Sequence, residues 1–316
     1  MTGYLVRRVL QAIVVLLIVS VIVFLLLHAL PGGLVRAQLG PKASPYQVRQ
    51  LEATEGLLKP LPLQYLIWLV NLVKGNLGFS YHYNQPVAGL LGRYLVRTLL
   101  LVGISTLLAI AVAVPMGLWQ GFRRNRADDH VLSASMLILY AMPAYLLGII
   151  LIILLSNDLP LLPSSANGYD QASLGTRISL LILPIGTLML GNISYFSRYM
   201  RSAVIDSMLE DYVRTARAVG STPRRVLMRH VLRNSLSSTI TMIGLTLPYV
   251  FSGALIIEEL FNFPGVGLLF WNASQTRDYP VLLGVVLVVT AAVVVGSLLA
   301  DLGYAALDPR VRYVRS

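Results

Sequence analysis

Six long stretches without Asp, Glu, Lys or Arg dominate this chain of 316 residues. Each is about long enough to cross the ~30 Å hydrocarbon core of a bilayer as a helix. They cover residues 9–30, 98–119, 131–155, 178–197, 236–257 and 281–300. We therefore predict an all-α polytopic membrane protein with six transmembrane helices, forming one membrane domain over residues 1–316.

Basic side chains are distributed unevenly between the two sides of the predicted membrane. With the N-terminus inside, 16 of the 25 basic and 7 of the 14 acidic residues are cytoplasmic, which gives 16 − 7 = +9 inside and 9 − 7 = +2 outside. By the positive-inside rule, both termini are cytoplasmic. This asymmetry explains most of the net charge of +11, so we expect no nucleic acid partner.

Motifs for catalysis and cofactor binding are missing from the sequence. None of the three lysines, Lys42, Lys59 and Lys74, follows a glycine, so there is no phosphate-binding Gly-Lys-Ser/Thr loop. The chain also has no cysteine, no metalloprotease His/Glu spacing and no Gly-x-Ser-x-Gly elbow. We therefore expect no enzymatic activity and no cofactor or metal in this chain.

The main alternative class is an ion-driven carrier or channel that works alone. Such proteins keep ionisable residues inside the membrane, where they mark the ion path. Because the six predicted spans contain no Asp, Glu, Lys or Arg, we expect another subunit to drive any transport.

A charged segment at residues 210–234 interrupts the apolar pattern between the fourth and fifth spans. Residues 210–219 contain good helix formers and no breaker, and Gly220 suits a left-handed helix end. The following Ser-Thr-Pro can cap and begin a second helix. The sequence therefore predicts two helices with a sharp turn at Gly220.

The run Asp-Tyr-Val-Arg-Thr-Ala-Arg-Ala-Val-Gly at 211–220 closely resembles the cytoplasmic coupling loop of ATP-binding-cassette importer permeases, in particular the dipeptide and oligopeptide branch. The resemblance implies a coupling loop over 205–234, although Val219 stands where that branch usually has Lys. The apolar face of the first helix would then fit a groove; a helix solvated at the headgroups is the alternative. The implied ATPase contacts are Glu210, Asp211, Tyr212, Arg214, Thr215, Ala216, Arg217 and Gly220.

Further matches to peptide permeases extend the resemblance from Arg7 to Tyr313. They include Gly-Asn-Leu-Gly-Phe-Ser at 75–80, a Pro-Gly-x-Gly turn at 264–267 and Arg-Asp-Tyr-Pro at 277–280. The segment 31–97 is predicted to be extracytoplasmic and contains an amphipathic run with Tyr and Trp. This segment is either an interfacial helix or an external platform for a soluble partner.

The resemblance implies a type I importer permease in a bacterial plasma (inner) membrane, surrounded by lipid. Its implied partners are a second homologous permease, two ATPase subunits that bind ATP and Mg, and an extracytoplasmic substrate-binding protein. The implied substrates are dipeptides or oligopeptides, with glutathione or nickel chelates as alternatives.

Polar residues of the fifth span share one helical face. They either line the translocation path or pack against other helices; they are Ser238, Thr241, Tyr249 and Ser252. Beyond this span, Glu258 is predicted at the outer mouth. There it would contact a peptide amine or an external partner, or it would be a solvated structural acid.

Overall fold

The computed structural model describes residues 2–29, 35, 43–54, 57–80, 82–236, 239 and 254–307. In chain order the elements are α1 (Thr2–His28), α2 (Pro45–Thr54), α3 (Leu61–Val73), β1 (Phe79–Ser80), β2 (Gln85–Pro86), α4 (Val87–Phe122), α5 (Ala127–Ala141), α6 (Ala144–Ile152), α7 (Leu174–Leu209), α8 (Asp211–Ala218), α9 (Pro223–Arg225), α10 (Val266–Thr276) and α11 (Tyr279–Leu307). A π-helical segment follows α6 at Ile153–Asp158, and another follows α9 at Val226–Val231. Residues 254–260 are also helical.

The chain divides into two compact units. One unit, which we call the core unit because it contains the apolar cluster described below, consists of Leu99–Phe263 and the chain from Gly296 onward, and the second unit consists of Thr2–Thr98 and Pro264–Val295. The charged segment at 210–234 belongs to the core unit.

Four helices in the described part of the chain are long and apolar enough to cross a membrane. Their spanning segments are Val6–Leu26, Val87–Phe122, Leu174–Leu209 and Tyr279–Leu298. α4 and α7 each contain 36 residues, so each is ~54 Å long and exceeds the ~30 Å thickness of the hydrocarbon core. α7 therefore continues well past the predicted end of the fourth span at residue 197.

The third predicted span, 131–155, is broken rather than continuous. α5 and the helix over 144–158 meet at an angle of 103°. Met142 is extended, with φ −82° and ψ 126°, because the ring of Pro143 disfavours a helical conformation in the residue before it. With this bent pair counted as one span, the described residues contain five spans; the fifth predicted span, 236–257, lies mostly outside them.

Within the second unit, α3 packs along α1, so the amphipathic run in the 31–97 segment is helical; its role as an external platform stays a prediction. Ser20 Oγ lies 2.9 Å from Tyr65 Oη, and His28 Nε2 lies 2.8 Å from Gln64 Oε1. The ring of Phe24 also contacts the rings of α3. This helix is therefore attached to the end of the first span through side-chain contacts.

The two short strands bring together two of the motifs noted in the sequence. β1 and β2 pair antiparallel, with Ser80 opposite Gln85. The buried Ser80 hydroxyl donates a hydrogen bond to Asp278 at the start of α11. Burial raises the pKa of the nearby Tyr83 phenol, and the neighbouring Tyr94 and Asp278 raise it further. The hairpin is thus fastened to the beginning of the last span.

Candidate coupling site

The charged segment begins with α8, whose end is closed by a backbone motif. Gly220 has φ +79° and its N–H donates to Arg217 O at 3.0 Å, while Ser221 N–H donates to Ala216 O at 3.1 Å. This pair of bonds is the Schellman arrangement, which needs a left-handed residue and therefore favours glycine. The predicted turn at Gly220 is confirmed.

A second helical arm starts directly after this turn. Thr222 Oγ1 accepts a hydrogen bond from Arg225 N–H at 3.4 Å, and Pro223 occupies the first helical position. Proline fits there because its missing N–H would have had no helical partner. The arm continues through the π-helical segment Val226–Val231 to residue 236.

One face of α8 is buried against its own chain. Val213 is fully buried and Ala216 is 7% exposed. These small side chains pack in one apolar cluster with residues of α4, α7 and the second arm, which are Leu118, Met200, Val204, Val226 and Val231. The Tyr212 hydroxyl also hydrogen-bonds to Ser207 Oγ near the end of α7. The expectation that this apolar face is free to enter a groove is wrong for Val213 and Ala216, because the core unit already covers them.

The opposite face of α8 and the turn are exposed. Arg214 Nη1 lies 3.5 Å from Asp211 Oδ1, and the two side chains are 74% and 94% exposed. Glu210 occupies the N-cap position of α8, where its backbone carbonyl accepts hydrogen bonds from Val213 N–H at 3.0 Å and from Arg214 N–H at 3.4 Å. The other exposed residues of this surface are Thr215, Arg217, Ala218, Val219 and Gly220.

A second charge pair lies behind this surface and was not predicted from the sequence. The Arg201 guanidinium of α7 donates to both carboxylate oxygens of Asp129 in α5, at 2.7 and 2.8 Å. Asp129 is fully buried and also accepts from the Asn125 N–H at 3.0 Å and from the Ser133 hydroxyl at 3.3 Å. A two-pronged pair of this kind fixes both the distance and the orientation of the two helices.

Two neighbouring glycines let α4 lie against the same turns of α7. A Cβ atom at Gly117 would be 2.6 Å from Met200 Cβ, and one at Gly121 would be 2.5 Å from a methyl group of Val204. Real Cβ atoms do not approach so closely, so these positions require glycine for this helix spacing. α4, α5 and α7 therefore meet at one level of the core unit.

The remaining predicted site residues are those of the fifth span and Glu258. Ser238, Thr241, Tyr249 and Ser252 lie outside the described residues. Glu258 is 0% exposed and its backbone carbonyl accepts from Phe263 N–H at 2.8 Å, so its side chain is not a solvated acid in this structure. Its role at an outer mouth stays a prediction. Among the described residues there is no group of three or more His, Cys, Asp or Glu side chains that could hold a metal ion.

The described chain contains long apolar helices and, after α7, the short polar helices α8 and α9. This arrangement defines a polytopic membrane protein with a cluster of exposed charges at one helix end. A family described as "Binding-protein-dependent transport system inner membrane component" matches residues 113–313. A second family, described as "Binding-prot-dependent transport system membrane comp, N-term", matches residues 1–102. The two matches together cover nearly the whole chain.

Relatives of known name are similar over their full length. A Brucella ovis protein with a provisional peptide permease name is 37% identical over 99% of both chains. The oligopeptide transport system permease protein AppB of Bacillus subtilis is 36% identical, over 99% of this chain and 100% of AppB. The glutathione transport system permease protein GsiC of Salmonella choleraesuis is 33% identical, over 99% of this chain and 100% of GsiC.

A solved structure agrees with this relationship at the level of the fold. The crystal structure of an amino acid ABC transporter with histidines matches with a TM-score of 0.50 and 17% identity, covering 69% of this chain and 94% of that chain. The chain belongs to the family of binding-protein-dependent transport system inner membrane components and is a multi-pass permease subunit of an ATP-binding-cassette importer. In this family, ATP hydrolysis belongs to separate ATPase subunits, and this chain is not the catalyst.

Proposed function

We propose that this permease takes up dipeptides or oligopeptides and that the exposed face of α8, with the turn at Gly220, is its contact with an ATPase subunit. The observation that carries the proposal is the two-sided character of α8. Val213 and Ala216 fasten one side to the core unit, while Arg214 and Arg217 are exposed on the other. Because the core unit holds its buried side, α8 presents its charged side to a partner in a fixed position.

The proposed assembly contains this chain, a second homologous permease, two ATPase subunits that bind ATP and Mg, and an extracytoplasmic substrate-binding protein. In it, both termini and the coupling loop over 205–234 face the cytoplasm, as the charge asymmetry favours. The segment over 31–97 faces the other side of the membrane. The permease domain over 1–316 then contains no energy source of its own.

Energy reaches the pathway through a change in the position of α8. Closure of the ATPase pair on ATP displaces the surface that holds α8, and the attached spans change between inward-facing and outward-facing states. Such coupling requires that the ATPases bind the two states with different free energies. The polar residues of the fifth span line the path in this proposal, and they are Ser238, Thr241, Tyr249 and Ser252.

Photo-cross-linking tests the proposed contact directly. Val219 is 79% exposed and lies at the end of α8, so a p-benzoylphenylalanine at this position should cross-link to an ATPase subunit in the purified complex. Leu174 is 76% exposed at the opposite end of α7 and provides the matched control, which should give no ATPase product. Absence of an ATPase product from Val219, with an intact complex, would refute the assignment.

The substrate is tested separately by uptake into vesicles that contain the whole complex and its binding protein. Peptide transport is supported by the names of the relatives from Brucella ovis and Bacillus subtilis. Glutathione is the second candidate because GsiC is 33% identical over its full length. We expect a labelled dipeptide or oligopeptide to be taken up and to be displaced by unlabelled peptide; uptake of glutathione alone would overturn the peptide assignment.

A further inference from the structure

We infer that Asp129 and Arg201 are positioning residues that transmit the displacement of α8 to the broken span formed by α5 and α6. This inference rests on the proposed function, because it assumes that force arrives at α8. It assigns a role to a side-chain pair that lies behind the exposed surface and does not touch the proposed partner.

The first step of the transmission is apolar. Val213 and Ala216 of α8 pack on Met200 and Val204, one turn apart on α7. All four side chains are buried, so α8 cannot shift along α7 without opening a cavity. A push on α8 therefore moves this part of α7.

The second step is polar and leads from α7 to α5. Arg201 lies between Met200 and Val204 on the same turn, and its two hydrogen bonds to Asp129 join α7 to the first turn of α5. Asp129 is fully buried, so water does not compete for its oxygens. This link is directional, because a planar guanidinium bonds both oxygens only in one orientation.

The third step connects the same carboxylate to α4. Gln120 of α4 is 1% exposed and its Nε2 lies 3.4 Å from Ser133 Oγ, which in turn donates to Asp129 at 3.3 Å. Asn125, in the turn between α4 and α5, has φ +65° and donates its N–H to Asp129. The carboxylate thus holds together the two helices and the turn between them.

These three steps make the ends of α4, α5 and α7 move as one body with α8. α5 continues beyond Pro143 as α6, at an angle of 103°. A rotation at the Asp129 end of α5 would therefore move α6 in a different direction. A broken span is well suited to turning a displacement at one end into opening of a path.

The test uses the complete complex in proteoliposomes and measures substrate transported per ATP hydrolysed. Arg201→Lys keeps the positive charge but replaces the planar guanidinium, which bonds both carboxylate oxygens, with a single ammonium group. Asp129→Asn keeps the shape of the side chain but removes its negative charge. We expect both variants to lower the transport per ATP by about two- to thirtyfold, the range seen for changes along coupling networks. Cross-linking from Val219 to the ATPase should stay unchanged.

A partly exposed charge pair in the same turn supplies the control. Arg123 Nε lies 3.1 Å from Asp128 Oδ2, with side chains 33% and 32% exposed. Asp128→Asn removes one charge next to Asp129 without touching the buried pair. It should leave the transport per ATP within about twofold of the unmodified complex, because this pair is about one third exposed and therefore screened by water, and the Asn oxygen can still accept the hydrogen bond that Trp119 Nε1 donates to Asp128 at 3.0 Å.

Loss of folding is distinguished by a second variant and a second measurement. In Asp129→Leu/Arg201→Met the buried charges are replaced by apolar groups of similar size, which proteins often tolerate. If this double variant assembles and binds its ATPases but transports poorly per ATP, the pair acts in positioning. If the double variant and Arg201→Lys assemble and transport normally per ATP, the inference is wrong, while the cross-link from Val219 still decides the proposed function independently.

Discussion

The turn at Gly220 allows a prediction that separates backbone strain from side-chain contact. Gly220 has φ +79°, and a Cβ atom placed there would meet no other atom within 4 Å. Substitution at this position therefore causes no clash, and its whole cost comes from the left-handed backbone. That cost is ~1–2 kcal/mol for an ordinary residue, lower for Asn and higher for a β-branched residue.

The expected order of destabilisation is thus Gly220→Asn, then Gly220→Ala, then Gly220→Val. In the Ala variant a strain of ~1–2 kcal/mol should speed hydrogen exchange of the turn by about five- to thirtyfold. The exchange is measured at the backbone amides of residues 220 and 221, which donate to carbonyls of α8 in the unmodified protein. Under the proposed function, transport per ATP should fall in the same order, because the exposed surface of α8 loses its fixed end.

Two results would refute this reasoning. If Asn and Val accelerate exchange equally, strain is not the cause; if Val leaves transport per ATP unchanged, the turn is not part of coupling. Gly168 provides the control, since it also has a positive φ of +74° with nothing within 4 Å of an added Cβ, and it lies in the loop before α7. Gly168→Val should strain its own loop and leave exchange at Gly220 unchanged.

Two further predictions concern packing and buried hydrogen bonding. Gly121→Ala would bring a methyl group within 2.5 Å of a valine on α7 and should lower the free energy of unfolding by ~1–3 kcal/mol in thermal denaturation of the complex. Gly103→Ala, on the same helix with nothing within 4 Å, should instead stabilise by ~0.5–1 kcal/mol. Ser80→Ala removes the donor to the nearly buried Asp278 and should cost ~1–3 kcal/mol, seen as faster proteolysis of the strand pair. Ser274 is exposed and serves as the control: Ser274→Ala should leave the rate of proteolysis of the strand pair unchanged.

The sequence could predict those features whose causes are local. Long uncharged segments can only be accommodated by burial or lipid, so the helices α1, α4, α7 and α11 follow from composition. The bend at Gly220 follows from adjacent residues, since glycine ends one helix and Thr222 with Pro223 begins the next. Such signals act within one turn and do not depend on the rest of the chain.

Features that depend on distant residues were not predicted. One feature with a local cause was also missed: Pro143 signals the break, but the apolar pattern continues through it and favoured one straight span. Asp129 and Arg201 are 72 positions apart, so nothing in the pattern of either segment indicates that they pair. The face of α8 was misassigned because small apolar residues suit either their own chain or a partner, and only packing decides which.

The two charge pairs near α8 differ in a way that fits their proposed roles. Asp211 and Arg214 are exposed, so their mutual attraction is worth at most ~1 kcal/mol and either group can exchange its partner for one on another subunit at little cost. Asp129 is fully buried and held by several donors, and removal of one member of such a pair costs ~3–5 kcal/mol. A surface that must bind and release through each ATP cycle needs the first kind of pair. A support that carries the motion of α8 to the spans needs a buried pair. The exposed pair lies on α8 itself, and the buried pair joins α5 to α7, against which α8 packs.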